Sequence, residues 1–334
     1  MPIPHSAWNI QDSTKIQAFL DCPRSYFYEY VLGWRAEAPN VHLIFGQAWH
    51  IAMEHLILCH GRDGKYTNDA VGEAFQLFMD YYRQFYSEQQ DEINHPKSPG
   101  NALKALAQYV KMYENERFTP LYTEIAGSVP IAKDKILHFR MDSILRTGEE
   151  GGIESIRSRE HKTGSQLSRV WTDQWALKMQ TGTYNHVLYC LYKEPEVYGV
   201  EINGVILGKA NVQYTRVPAR RSIDAMRVWF WNVNHWFNMI TWEFERLGEC
   251  KESDPVMMCF PMNTESCTKY FGCKYHDFCR AWANPLRNID EPPLGFTEEH
   301  WNPAEEEGSA KHIFRLEGEQ KYNEQRTNST DASR

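Results

Sequence analysis

Apolar side chains recur along this chain at two spacings, and those spacings predict its elements. From Gly46 to Cys59, the residues Trp49, Ala52, Met53, Leu56 and Ile57 follow the i, i+3, i+4, i+7 rule of a helix with one buried stripe. Upstream, Thr14 and Gln17 read as a capping box, opening a helix through Ile16, Phe19 and Leu20 that Cys22-Pro23 breaks. A second, aromatic helix runs from Tyr26 to Leu32 and stops at Gly33. Helical patterns return near Asp69–Gln89 and Ala102–Arg117. Two strand-like segments follow, Leu137–Arg146 and Ile153–Lys162, joined by the turn-rich TGEEGG. A helix near Asp173–Tyr192, strands at Tyr198–Gly208 and Asn211–Val217, and a long helix near Ile223–Leu247 complete the series. This order predicts an α/β core under a mostly helical cover.

Composition adds bounds. With 334 residues, 42% hydrophobic and 24% charged, the chain can bury a sizeable core and reads as a soluble globular protein. No apolar run approaches the roughly 20 residues of a membrane span, and MPIPHSAWNIQD has no secretory pattern. The expected location is cytoplasmic, with no membrane partner. Trp229, Trp231, Trp236 and Trp242 crowd one stretch, and core packing is the expectation for most of them.

A net charge of −8 argues at first against a nucleic-acid partner. Ten acids and five bases lie beyond residue 290, however, leaving −3 on the first 290 residues. Between Ser155 and Gln180, Arg157, Arg159, Lys162, Arg169 and Lys178 face only Glu160 and Asp173. The acidic stretch 291–334 is expected to be a poorly ordered tail behind a domain spanning 1–290. Eight cysteines without a secretion signal point to metal binding rather than disulfides.

Asp142 and Glu160 stand on the two strands of the expected hairpin. Glu160 and Lys162, two apart, share one strand face, and Asp142 can reach that face from across the hairpin. Paired carboxylates hold Mg²⁺ or Mn²⁺, and a neighbouring lysine can orient water or offset phosphate charge. Alone, Glu-x-Lys is usually a surface ion pair. His50 and Glu54 lie at i, i+4 on one face of the helix begun at Gly46, away from its apolar stripe. A single helical histidine is more often structural than a ligand. Gln180 and Tyr184 repeat the i, i+4 spacing downstream.

The ordered set FGQAWH, FRMDSIL, SREHKTG and QTGTY resembles the RecB-like branch of the PD-(D/E)XK nucleases over about residues 13–280. The resemblance implies a restriction-endonuclease-like core, a small mixed sheet flanked by helices, with a helical insertion at about 60–120. It implies a metal-dependent deoxyribonuclease, an exonuclease acting on single strands or duplex ends in recombination, repair or replication. A helicase or recombinase partner goes with that role. His50, Asp142, Glu160 and the His161 carbonyl would hold Mg²⁺ or Mn²⁺. Lys162 would be the catalytic lysine, Gln180 and Tyr184 would shape the site, and Glu54 is a secondary candidate. PPLGFTEEHWNP is similar to the trailing segment of phage and prophage members, which would place the protein in a host cytoplasm.

CTKYFGCKYHDFC spaces Cys267, Cys273 and Cys279 five residues apart, and such thiols suit Zn²⁺ or an iron–sulfur cluster. A fourth ligand could be local, Cys259 or His276, or distant, Cys22. The family resemblance implies the distant choice: Cys22-Pro23-Arg24 is similar to the first-cysteine motif of AddB subunits and CRISPR-adaptation nucleases, which hold a [4Fe–4S] cluster that clips the chain ends. Relatives usually space the first two distal cysteines by two residues, which keeps Cys259 as a reserve for Cys267. Cys59, Cys190 and Cys250 read as buried thiols. The competing readings are a catalytically silent DNA-binding subunit and a zinc-stabilised interaction protein.

Overall fold

The structure, a computed structural model, describes residues 2–148, 154–269 and 272–316. In chain order the elements are β1 (Gln11–Asp12), α1 (Ser13–Asp21), α2 (Pro23–Tyr26), a π-turn (Phe27–Val31), β2 (Trp34–Ala36), α3 (Val41–Asp63), α4 (Asn68–Tyr82) and α5 (Pro99–Met112). Then come β3 (Thr119–Ala132), β4 (Lys135–Gly148), β5 (Glu154–Gly164), α6 (Arg169–Asp173), α7 (Met179–Leu191), β6 (Val197–Leu207), β7 (Val212–Ala219) and α8 (Ile223–Glu249). The chain closes with α9 (His276–Ala281), β8 (Phe296–Glu298), α10 (Pro303–Glu306) and β9 (His312–Arg315).

These form a mixed α/β fold around one seven-stranded sheet of order β7-β6-β5-β4-β3-β9, with β1 also pairing β4. Strands β3, β4 and β5 make an antiparallel meander, and β6 returns parallel to β5 after α6 and α7. Two apolar clusters cover the sheet. Val200 and Ile202 of β6 enter the first, with α1, α7 and α8; Val205 and Leu207, of opposite parity, enter the second, with α3, α4 and α5.

Local chemistry sets the helix ends. Asp12, not the expected Thr14 box, caps α1: its Oδ1 accepts from Lys15 N at 2.7 Å. As expected, the first helix breaks at Cys22-Pro23: α1 ends at Asp21, Cys22 is extended at φ of −163°, and Pro23 opens α2 from its first turn, where its missing N–H costs nothing. Asn40 caps α3, which starts earlier than its apolar stripe, and Gly64 ends it with φ of +68°. The segment expected as helix through Gln89 stops at Tyr82 and resumes only as a 3₁₀ turn at Glu88–Gln90.

Several other expectations need correction. Strand β3 was not foreseen. Residues 149–152 of the TGEEGG connection lie outside the described residues. The stretch 291–316, expected as part of a flexible tail, is folded: β8 pairs antiparallel with β2, and β9 pairs parallel with β3. Gly127 makes that second pairing possible, because a Cβ there would sit 1.6 Å from the Phe314 carbonyl. Trp229 is buried, but Trp231 and Trp242 face solvent. No helix among the described residues is long and apolar enough to cross a membrane.

Candidate active site

Asp142 on β4 and Glu160 on β5 lie opposite one another, in the register that pairs Ser143 with Arg159. The Asp142 N–H donates to Glu160 Oε1 at 3.3 Å, and Ser158 Oγ donates to the same oxygen at 2.9 Å. Asp142 Oδ2 accepts from His161 N at 2.7 Å, and Oδ1 lies 3.0 Å from His50 Nδ1. Thus α3, β4 and β5 converge on one carboxylate. Among the described residues, the ligand atoms of His50, Asp142 and Glu160 are not all drawn within 4.8 Å of one another. Glu160 is turned onto Ser158 and the strand instead.

The two carboxyls are held apart electrically. Burial would raise Asp142, but His50 and then the Lys162 ammonium outweigh it and hold this carboxyl well below the usual range. Burial pushes Glu160 up, and the Asp142 charge pushes it further. A buried like-charge pair of this kind is a place for a cation.

Asp142 opens onto a concave site, with Glu160 buried beside it. Asp142, Lys162, His50, Gln180 and Tyr184 line a cleft of about 220 Å³. Gln180 Nε2 donates to the Tyr184 hydroxyl at 2.9 Å, which in turn donates to the Arg140 carbonyl, so α7 pins β4 two residues before Asp142. Glu54 turns to another partner than Asp142: its Oε1 pairs with Lys311 Nζ at 2.7 Å.

Sequence reasoning missed the rest of the lining. Asp12, Glu124, His138, Arg140, Trp301, Glu306 and Glu307 all face the cleft. Glu124, at φ of +47°, bonds Arg140 Nε at 2.9 Å, and burial and then the Asp142 charge raise its carboxyl. Trp301 Nε1 donates to Asp12 Oδ2 at 2.9 Å, bringing the C-terminal segment to the site. Only an accurate long-range pairing would have exposed these residues.

The local basic surplus also has another explanation. Arg157 and Arg159 share a strand face opposite to Glu160 and serve a buried ion network, not a DNA surface. Arg159 bonds Glu201 Oε1 at 2.8 Å and Glu116 Oε1 at 2.5 Å; Arg216 Nη1 lies 2.9 Å from both carboxylates. Arg157 adds a 3.0 Å bond to Glu201. Arg216 Nε donates to Asn203 Oδ1 at 2.6 Å, and Asn203 Nδ2 reaches His161 Nδ1 at 2.8 Å. Burial takes the His161 imidazole down to about 3, so Nδ1 accepts and Nε2 carries the proton.

At the other end of the molecule, residues 260–266 are sewn to the start of α2. Arg24 Nε donates to Phe260 O at 2.9 Å, Ser266 Oγ to Asp21 O at 2.6 Å, and Asn263 N to Cys22 Sγ at 3.3 Å. Cys22 and Cys267 are close enough to raise the Cys273 thiol, after burial. Burial lifts Cys279 to about 11, with Cys22 and Cys273 adding to it against Arg24. The buried Tyr28 hydroxyl stands beside Cys279 and Arg24. Cys259 is elsewhere: its Sγ lies 3.6 Å from Cys250 Sγ, a buried pair. His276 is exposed and bonded to Asp277. Cys190, expected as a buried thiol, is half-buried.

A carboxylate pair and a lysine on adjoining strands, inside a helix-flanked mixed sheet, define a restriction-endonuclease-like nuclease core. The sequence profile of the PD-(D/E)XK nuclease superfamily matches residues 13–280. The chain belongs to that superfamily, a class of metal-dependent nucleases. No curated protein matches it. The solved structure of SSO0001 is similar at 11% identity and a TM-score of 0.31, over 71% of this chain and 78% of that one.

Proposed function

We propose that the chain is a deoxyribonuclease, an exonuclease that trims single strands or duplex ends during recombination, repair or replication, beside a helicase or recombinase. The observation that carries this reading is the placement of Asp142 and Glu160 side by side across β4 and β5, with His50 against Asp142. His50, Asp142, Glu160 and the His161 carbonyl are the groups that would hold Mg²⁺ or Mn²⁺. Such an ion, when bound, acidifies a water and offsets phosphate charge. The fit is supported by charge: Asp12, Glu124, Asp142, Glu306 and Glu307 outnumber Arg140 and Lys162 around the cleft, so a phosphate enters only with added positive charge. Lys162 then orients the attacking water and balances charge on the phosphoryl oxygens. Gln180 and Tyr184 keep β4 in place. The net step joins the water oxygen to phosphorus and releases one ester oxygen.

Cys22, Cys267, Cys273 and Cys279 are the groups we assign to a [4Fe–4S] cluster, which would lock residues 260–279 onto α2. Their mutual electrostatic influence supports that assignment. Three thiols of a tetrahedral zinc site, at about 2.3 Å Zn–S, sit under 4 Å apart, and no such trio of these sulfurs is gathered among the described residues.

The test uses end-labelled single- and double-stranded DNA with Mg²⁺ or Mn²⁺. Lys162→Ala and Glu160→Ala should each lose at least about 100-fold in cleavage. Cleavage without added metal, or undiminished in both variants, refutes the mechanism. An anaerobic preparation should be brown with about four irons per chain, and Cys22→Ser should be colourless.

A further inference from the structure

A second cluster of metal-ligand atoms lies on the helical cover, apart from the cleft. His55 and Cys59 stand one turn apart on α3, and Glu73 faces them from α4. His55 Nε2 is 2.9 Å from Glu73 Oε2 and 3.3 Å from Cys59 Sγ. All three ligand atoms lie within 4.8 Å of one another, the one such group among the described residues.

Hydrogen bonding satisfies this trio only in part. One imidazole nitrogen carries either a proton or a lone pair, never both. If Nε2–H donates to Glu73, the Cys59 sulfur is at best a weak second acceptor of that proton. If Nε2 accepts from the thiol, two lone pairs confront each other at 2.9 Å across to the carboxylate. A cation at the centre satisfies all three atoms at once. Tetrahedral zinc, at about 2.0–2.3 Å from N, O and S ligands, sets those atoms about 3.4–3.6 Å apart. The two spacings from His55 need only a few tenths of an ångström of side-chain movement, and Cys59 Sγ lies within 4.8 Å of the Glu73 carboxylate. Cys59 is 3% exposed and Glu73 61% exposed, so the nest is closed on the helix side and open to solvent on the other.

We propose that His55, Cys59 and Glu73 bind a borderline divalent cation of the zinc type, with water in the fourth position. Binding exchanges the thiol proton for the ion: one proton leaves, the sulfur becomes a thiolate, and thiolate plus carboxylate balance the charge of two. The thiolate excludes Mg²⁺, which demands oxygen ligands, so this site is chemically distinct from the catalytic one. The ion ties α4 to α3, the helix that carries His50 five residues upstream, and acts as a structural clamp.

Zinc bound by the full chain is measured by equilibrium dialysis at micromolar zinc, for wild type, Cys59→Ser and Glu73→Gln. Other thiols bind zinc too, so the difference between wild type and variant is the quantity that counts. Wild type should retain one more equivalent than Cys59→Ser, and Glu73→Gln should bind that equivalent at least about tenfold more weakly. Zinc should raise the melting temperature of wild type more than that of either variant. X-ray absorption at the zinc edge should show a sulfur, nitrogen and oxygen shell that Cys59→Ser loses. Should Cys59→Ser fail to fold, the exposed Glu73→Gln decides alone. Equal zinc content and equal thermal shifts in wild type and Glu73→Gln overturn the proposal.

Discussion

Replacing Glu116 by glutamine should cost about 3 kcal/mol at pH 7, and the cost should fade in acid. The residue sits just past α5, its carboxylate bridging Arg159 and Arg216 through bonds of 2.5–3.2 Å. Burial opposes its ionisation, but the two guanidinium groups more than reverse that and take the carboxyl from 4.5 to about 2. With the side chain 19% exposed, little solvent screening applies. A depression of about 2.5 units corresponds to about 3 kcal/mol of stability carried by the charged form. Because the folded value is lowered, this stability is fully present above about pH 4.5 and drains away as pH falls toward 2; by pH 3 about 1 kcal/mol is left. Glutamine keeps the shape but leaves Arg159, 1% exposed, short of a counter-charge. Urea midpoints of wild type and Glu116→Gln at pH 7 and pH 3 measure the difference. A penalty below about 1 kcal/mol at pH 7, or one equally large at pH 3, refutes the reasoning, because the ion network would then carry no net coupling.

Two further perturbations probe other buried polar groups. Lys15 is fully buried, its ammonium donating to the Ala7 and Ile10 carbonyls at 2.6 and 2.7 Å, and burial lowers it from 10.5 to about 8. Between those values the unfolded chain holds the extra proton, so wild-type stability should rise from about pH 8 to 10.5; burial lowers Lys97 over the same range, so Lys15→Met should remove about half of the rise in a thermal-melt series. Tyr184→Phe removes the hydroxyl that joins Gln180 to the Arg140 carbonyl. It should cost about 1–3 kcal/mol, read as a lower melting temperature, and an unchanged value would show that the bridge does not hold β4.

The hairpin that carries Asp142 and Glu160 was legible because period-2 alternation is a local signal: Glu160 and Lys162 share a face wherever β5 lies in the fold. The i, i+4 pairs His50–Glu54 and Gln180–Tyr184 were legible for the same reason, although only His50 of the first pair meets Asp142. What such periodicity omits is the identity of a partner strand. Arg157 and Arg159 read as a basic patch because their counter-charges, Glu116 and Glu201, lie about 40 residues away on either side. Alternation already placed them opposite Glu160; nothing local said that the other face was an ion network. β3 escaped for a related reason. Its sequence, TPLYTEIAGSVPIA, holds two prolines and a glycine that argue against a central strand. The glycine is there to admit β9.

That pairing changes how the acidic C-terminal stretch must be understood. Low hydrophobicity and a run of glutamates predict disorder only if each charge stays in water. Here Glu307 is 2% exposed, bonded to His138 and within 3.4 Å of Arg315, and Glu306 approaches Arg140. Glu54 receives Lys311 in the same way. The contacts to His138, Arg140 and Glu54 join the C-terminal segment to the nuclease core, so acids that looked like solvating residues are held by specific partners. The consequence reaches the chemistry. Because Trp301, Glu306 and Glu307 line the same cleft as Asp142 and Lys162, the C-terminal segment forms part of the wall of that cleft. On the function proposed above, a substrate strand would pass against carboxylates, and electrostatic repulsion there would make its entry depend on bound divalent ions.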